Sequence, residues 1–224
     1  MKILIATARA QTIPRVQEAR KTLNYDRVEA LHMFPSKAYA AIQKFFTEHK
    51  EYTHLVIAAG DLLVQPGNMK NLESVLREND YPVICGVCNV GLGEDSTKCI
   101  VTKNLPHPMI QPILFRHYDW YKWTEVQDFQ VRRVRFAGNC LACIRRDVLD
   151  IITLRTDAKV NGLEEGGNVD VMFAVDCEVQ NIPIMADFNN RMLHLRDQEK
   201  YPVTRSLNFE QFIFIPAASQ EIRG

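Results

Sequence analysis

Over the first 90 residues four short apolar runs alternate with three stretches of helical spacing, and no other feature of the chain constrains its fold as strongly. The runs lie at residues 2–6, 27–33, 52–61 and 83–87. Between them come Val16, Ala19 and Leu23 behind Pro14; Ala38, Ala41, Ile42, Phe45 and Phe46 behind Pro35-Ser36; and Met69, Leu72, Val75 and Leu76 behind Asn68. Period-3.6 faces between buried strand-like runs predict a βαβαβαβ order. Successive strands joined by helices run parallel, so the expectation is an α/β fold: a largely parallel wound sheet with helices on both faces. Pro14 suits the first turn of its helix, and Ser36 and Asn68 are expected to cap theirs.

The third run, Tyr-Thr-His-Leu-Val-Ile-Ala-Ala-Gly-Asp, stops at Asp61. A buried parallel strand delivers its last side chain to the carboxyl edge of the sheet, where such folds bind ligands. The alternative for Asp61 is a turn residue bonding nearby backbone N–H groups. Composition narrows the partners. The 224 residues are 46 % apolar, enough for a full core, and 27 basic residues offset 27 acidic ones. No global field draws in nucleic acid or an anionic membrane, so an anionic ligand must be held locally. The N-terminal apolar run is too short for a signal peptide, and no stretch approaches the roughly 18 apolar residues of a membrane span. A soluble, cytoplasmic protein is expected.

Six cysteines include Cys85-Gly-Val-Cys88 and Cys140-Leu-Ala-Cys143, spacings that invite a zinc reading. Both pairs lie in strand-like sequence, where positions three apart face opposite sides, so buried free thiols are expected instead. Residues 91–129 lose periodicity and carry Pro106, His107, Pro108, Trp120, Tyr121 and Trp123, which read either as a satellite core or as an aromatic wall for a ligand. Order returns at 131–136, at 138–149 (a strand, then a helix opening near Asp147), and at 168–176, where Asn168 is a candidate N-cap and Asp170 falls in the first helical turn. Residues 184–188 and 192–196 complete the pattern, the latter carrying His194.

Three segments in this order resemble the GT-A fold of nucleotide-sugar-dependent glycosyltransferases, particularly the large inverting family (family 2-like). They are the run ending at Asp61, the Gly138 segment with Arg145-Arg146 opening a helix, and Gly166-Gly167-Asn168-Val169-Asp170 followed by His194. The resemblance implies one domain over residues 1–224: a nucleotide-binding half (1–90), an acceptor and catalytic half (91–200) and a C-terminal extension (201–224). It also implies a donor that is a UDP- or GDP-linked sugar, a hydroxyl acceptor on a glycan, lipid or protein, and a divalent cofactor, Mn²⁺ or Mg²⁺.

By the same resemblance Asp61 and His194 are metal ligands and Asp170 is the catalytic base, with Glu164 and Glu165 as substitutes. A carboxylate in that place accepts the acceptor's proton while the metal neutralises the leaving diphosphate. Thr7, Arg9 and Asp61 are the expected nucleotide contacts, Arg196 and Lys200 are within reach of phosphate, and Trp120 and Trp123 would stack on an acceptor sugar. The chain departs from the family where its acidic motif reads Ala59-Gly60-Asp61, Ala59 replacing the first carboxylate. That departure keeps a second reading open, a non-catalytic nucleotide-sugar-binding or scaffold protein. Nucleotidyltransferases share the wound sheet, but Thr7-Ala8-Arg9-Ala10-Gln11-Thr12 lacks their glycines.

Overall fold

The computed structural model describes residues 1–9, 13–89, 97–105, 118–156, 169–195 and 210–217. Glu164, Glu165, Gly166, Gly167, Asn168, Arg196 and Lys200, and Pro106 to Pro108 of the aromatic segment, lie outside the described residues.

The expected alternation is present. Strand β1 (Ile3–Arg9) leads through α1 (Pro14–Lys21) to β2 (Asp26–Leu31), then through α2 (Pro35–Glu48) to β3 (His54–Ile57). A two-residue strand β4 (Leu62–Leu63) precedes α3 (Pro66–Glu78) and β5 (Val83–Val87). Next come β6 (Lys98–Thr102), β7 (Trp120–Lys122), β8 (Val131–Val134), β9 (Phe136–Ala137), β10 (Ala142–Arg145) and α4 (Arg146–Ile151). The chain continues with α5 (Val169–Val179), β11 (Ile184–Arg191), β12 (Leu193–His194) and β13 (Gln211–Ile215). Among the described residues the main sheet has eight strands, ordered β13-β2-β1-β3-β10-β5-β11-β8. Strands β2, β1, β3, β5 and β11 share one direction, while β10, β8 and β13 oppose it. The fold is therefore mixed α/β with a mostly parallel central sheet flanked by helices.

Both faces of this sheet are buried, as parallel strands require. On β1, Leu4 and Ala6 join one core with Ile42 and Phe46 of α2 and Phe173 and Cys177 of α5. Ile3 and Ile5 point the other way, into a core with Met69 and Leu72 of α3. Each fully buried aliphatic side chain contributes about 1.5–3 kcal/mol of apolar burial. Where β11 bulges past β5, Gly86 makes room: a Cβ there would lie 2.9 Å from the Asn190 carbonyl oxygen.

Several local expectations are corrected. Helix α2 begins at Pro35 with Phe34 as N-cap, so Ser36 lies inside the helix. In α3 the N-cap is Gln65, and Asn68 works from the first turn, its Oδ1 accepting the Gln65 N–H at 3.0 Å. Within residues 91–129, the described part contributes β6 and β7, which join β9 in a three-stranded sheet, β7-β6-β9. Trp120 is not an exposed wall: it is 8 % accessible, stacked on Tyr118 at 4.8 Å and edge-on to Phe136 at 6.4 Å. Trp123 carries the Arg191 guanidinium over its ring at 4.3 Å and donates its indole N–H to Asn89 Oδ1 at 2.7 Å. An isolated apolar aromatic reads alike as core or as wall, and for Trp120 the neighbours Tyr118 and Phe136 decide it. No helix among the described residues is long and apolar enough to cross a membrane.

Candidate functional site

The topology gathers a set of polar residues at one edge of the sheet. The parallel strands β1, β2 and β3 end there, and helices that follow parallel strands begin there. Antiparallel β10 also begins there. Hence the first turns of α2 (Tyr39), the residues after β3 (Ala59 to Asp61), those before β10 (Asn139) and the first turn of α5 (Asp170) converge although they are far apart in sequence.

Asp61 is not the last residue of its strand. Strand β3 stops at Ile57, and Asp61 sits in a turn closed by the Leu62 N–H donating to Ala59 O at 3.1 Å. The turn is strapped on three sides. The Ala59 N–H donates to Asn139 O at 3.3 Å, Arg20 Nη2 donates to Ala59 O at 2.7 Å, and the Leu195 N–H donates to Asp61 O at 2.9 Å. The last bond continues the pairing of β4 with β12, in which His194 lies opposite Leu62. This pairing brings His194 beside Asp61, with Nε2 3.0 Å from Asp61 Oδ2. The imidazole side chain is 7 % exposed and the carboxylate 35 %, so the carboxylate is the solvent-facing partner. His194 Nδ1 is buried and has no hydrogen-bond partner among the described residues.

Asp170 stands in the first turn of α5, its Oδ1 accepting the Val171 N–H at 2.9 Å. Both carboxylates act on Tyr39, a buried residue on α2. Burial raises its hydroxyl pKa first, and the charges of Asp170 and Asp61 raise it further, against a hydrogen bond from Asn139. That bond runs from Asn139 Nδ2 to the Tyr39 hydroxyl at 3.2 Å. The phenol thus stays neutral and keeps an O–H donor near both carboxylates. Asp170 also acts on Cys85, whose thiol is pushed up to about 12, chiefly by burial.

Of the residues expected from the sequence, the structure brings Asp61 and His194 into contact and sets Asp170 near the same phenol as Asp61. Thr7 lies on β1 opposite Glu29 of β2 and is 2 % exposed; Arg9 ends the same strand. Tyr39, Asn139 and Arg20 are additional parts of the site. Tyr39 had a legible signal, because a helix that follows a parallel strand opens at the ligand-binding edge. Asn139 and Arg20 act through contacts with Ala59 that no local pattern announces. The Arg145-Arg146 pair proves architectural: Arg145 pairs with Asp147 and Asp80, and Arg146 donates to the carbonyls of Phe46 in the last turn of α2 and of His49 and Tyr52 beyond it.

A divalent cation fits the Asp61 and His194 pair. Two donor atoms 3.0 Å apart have the spacing of adjacent ligands on an octahedral ion with bonds of about 2.1 Å. An imidazole nitrogen with a carboxylate oxygen suits Mn²⁺ better than Ca²⁺, which takes six to eight oxygens. No cluster of three or more His, Cys, Asp or Glu side chains is placed to hold a metal among the described residues.

No protein-family profile and no curated protein matches the sequence. Solved structures do. The chain is similar to A197 from STIV, with 17 % identity, a TM-score of 0.53, and coverage of 83 % of this chain and 81 % of that one. Weaker likenesses are to S. aureus TarS 1–349 (11 % identity, TM-score 0.46, 86 % and 60 % covered) and to CMP:2-keto-3-deoxy-manno-octonic acid synthetase complexed with CTP (12 %, 0.43, 86 % and 90 %). At 17 % identity the likeness to A197 shows the fold alone.

Proposed function

We propose that this protein is a metal-dependent glycosyltransferase that moves a sugar from a UDP- or GDP-linked donor to a hydroxyl acceptor with inversion. The contact between Asp61 and His194 carries the reading, because residues singled out on separate segments by a family resemblance lie 3.0 Å apart. The two would hold Mn²⁺ or Mg²⁺, which when bound supplies positive charge to the donor's diphosphate as the leaving group departs. Asp170 accepts the proton of the acceptor hydroxyl as that oxygen attacks the anomeric carbon. Tyr39, neutral and close to both carboxylates, holds a hydrogen-bond donor at their shared boundary.

A second reading has its own observation. Ala59 offers no carboxylate, and both its backbone groups are committed, the N–H to Asn139 and the carbonyl to Arg20. Position 59 is therefore part of the frame, which favours a nucleotide-sugar-binding protein without turnover. Asp170→Asn separates the two. The wild type should release nucleoside diphosphate from a cognate donor and acceptor, while the variant should bind donor within a few fold and lose at least about 100-fold in turnover. Transfer by the variant at the wild-type rate would remove Asp170 from the base role.

A further inference from the structure

We propose that Cys88 and Cys140 form a disulfide that ties the end of β5 to the segment carrying Asn139. Their sulfurs are 2.7 Å apart. Non-bonded heavy atoms ordinarily approach to about 3.5–4.0 Å, whereas a disulfide bond is about 2.05 Å long. The pair is thus nearer bonding distance than ordinary contact. All six cysteines are free and buried in this structure, and among the described residues no other pair has such a contact.

The sheet register independently places the two residues together. Strands β5 and β10 are antiparallel, with Cys85 opposite Ala142 and Ile84 opposite Cys143. The ladder extends beyond both strands, since the Gly86 N–H donates to Leu141 O at 3.4 Å. Continuing it by one step brings Val87 and Cys88 alongside Cys140 and Asn139. A strand's alternation would send Cys140 and Cys143 to opposite faces. Leu141, with φ of 53°, breaks that alternation, and Cys140 joins Cys88 in the core that also holds Cys143. For a bulky residue a left-handed backbone is uncommon, and here it is what brings the two sulfurs to one face.

The chemistry needs an oxidant, a small-molecule disulfide such as oxidised glutathione. One cysteine thiolate attacks it, forming a mixed disulfide and releasing one small thiolate. The other cysteine thiolate then attacks the protein sulfur of that mixed disulfide and expels the second. Two S–H bonds and one S–S bond become one protein S–S bond and two small thiols, with the protons passing to the departing thiolates. Burial raises the Cys140 pKa well above its ordinary value, so in the closed fold this sulfur is a poor nucleophile. The bond therefore forms as the chain folds or opens, and serves as a structural tie rather than a catalytic one. It would anchor the residue next to Asn139, which holds both Tyr39 and the Ala59 turn.

The test uses the full chain, reduced and unfolded, then refolded in a buffer of oxidised and reduced glutathione. The protein is then unfolded in guanidinium chloride with excess N-ethylmaleimide, which alkylates the free thiols, and is mapped by mass spectrometry without reduction. The expected result is a linked peptide pair containing Cys88 and Cys140, four alkylated cysteines, and a Tm about 4–16 °C above that of the same protein with dithiothreitol. Cys88→Ser should abolish the dithiothreitol effect. Should that variant fail to fold, the wild-type map decides alone. Folded protein with six alkylated thiols after this treatment, or a link between any other pair, would overturn the proposal.

Discussion

Replacing Arg20 by methionine isolates one strut of the Asp61 turn. The side chain is on α1, 3 % exposed, and its Nη2 donates to Ala59 O at 2.7 Å. Methionine keeps most of the aliphatic stem, so the cavity term is small. The main loss is a charge-assisted hydrogen bond to an interior carbonyl, about 1.5–3 kcal/mol. The opposing term is relief from burying a guanidinium, which can cancel such a bond when the charge is poorly compensated. With the bond at 2.7 Å we expect the loss to win and stability to fall by about 2 kcal/mol. For a urea slope of about 2 kcal/mol/M this lowers the unfolding midpoint by about 1 M. Freed of its strut, the turn should also hold Asp61 less well, and the Kd for nucleoside diphosphate with Mn²⁺ should rise at least about 5-fold. Unchanged or increased stability, together with unchanged affinity, would refute the reasoning that Arg20 frames the site.

Two further predictions concern the scaffold. Arg146→Met deprives the carbonyls of Phe46, His49 and Tyr52 of one shared donor and removes the guanidinium 4.1 Å above the Phe46 ring, so stability should fall by about 3 kcal/mol or more; Arg146→Lys should recover less than half, because an ammonium cannot make the same fork, and equal guanidinium-chloride midpoints for the two variants would contradict this. For Asp26, burial raises the pKa, but hydrogen bonds from the Ala217 N–H and the Tyr52 hydroxyl, with Lys2 nearby, outweigh it and lower the folded value below 3.8. A depressed carboxyl stabilises the fold above its unfolded pKa of about 3.9, and that contribution is lost as pH falls through the folded value. Asp26→Asn should therefore flatten the acid limb of a midpoint-against-pH curve below about pH 4, and parallel curves for wild type and variant would rule the assignment out. Buried Asp187 has a raised pKa, chiefly from desolvation, and works in the opposite sense, which makes it a control.

The sheet and its helices were readable because each central strand is apolar on both faces and each helix carries a period-3.6 stripe. Val83–Val87 coincides with its expected range. Boundaries failed where long-range bonds decide them. The run at 52–61 reads as one strand to Asp61, yet the strand ends at Ile57: the Ala58 N–H still donates to Ala6 O of β1, and from Ala59 onward the backbone groups bond to Asn139, Arg20 and Leu195 instead. Strand β13 adds antiparallel to the edge at β2, and its apolar residues 211–215 could not announce a partner so distant in sequence. At the site, Asp61 and His194 were legible through the order of motifs. Tyr39 was marked only by its place near the start of a helix that follows a parallel strand, and Asn139 looked like any turn residue before a strand.

Calorimetric titration of the protein with UDP and with GDP, each in Mn²⁺ and in EDTA, tests the central claim most directly when repeated on Asp61→Ala and His194→Ala. The account predicts binding of one nucleotide that requires Mn²⁺ and weakens at least about 10-fold in both variants, as expected for the loss of a metal ligand. Folded protein that binds neither nucleotide, or binds one equally well in EDTA and in both variants, would contradict it.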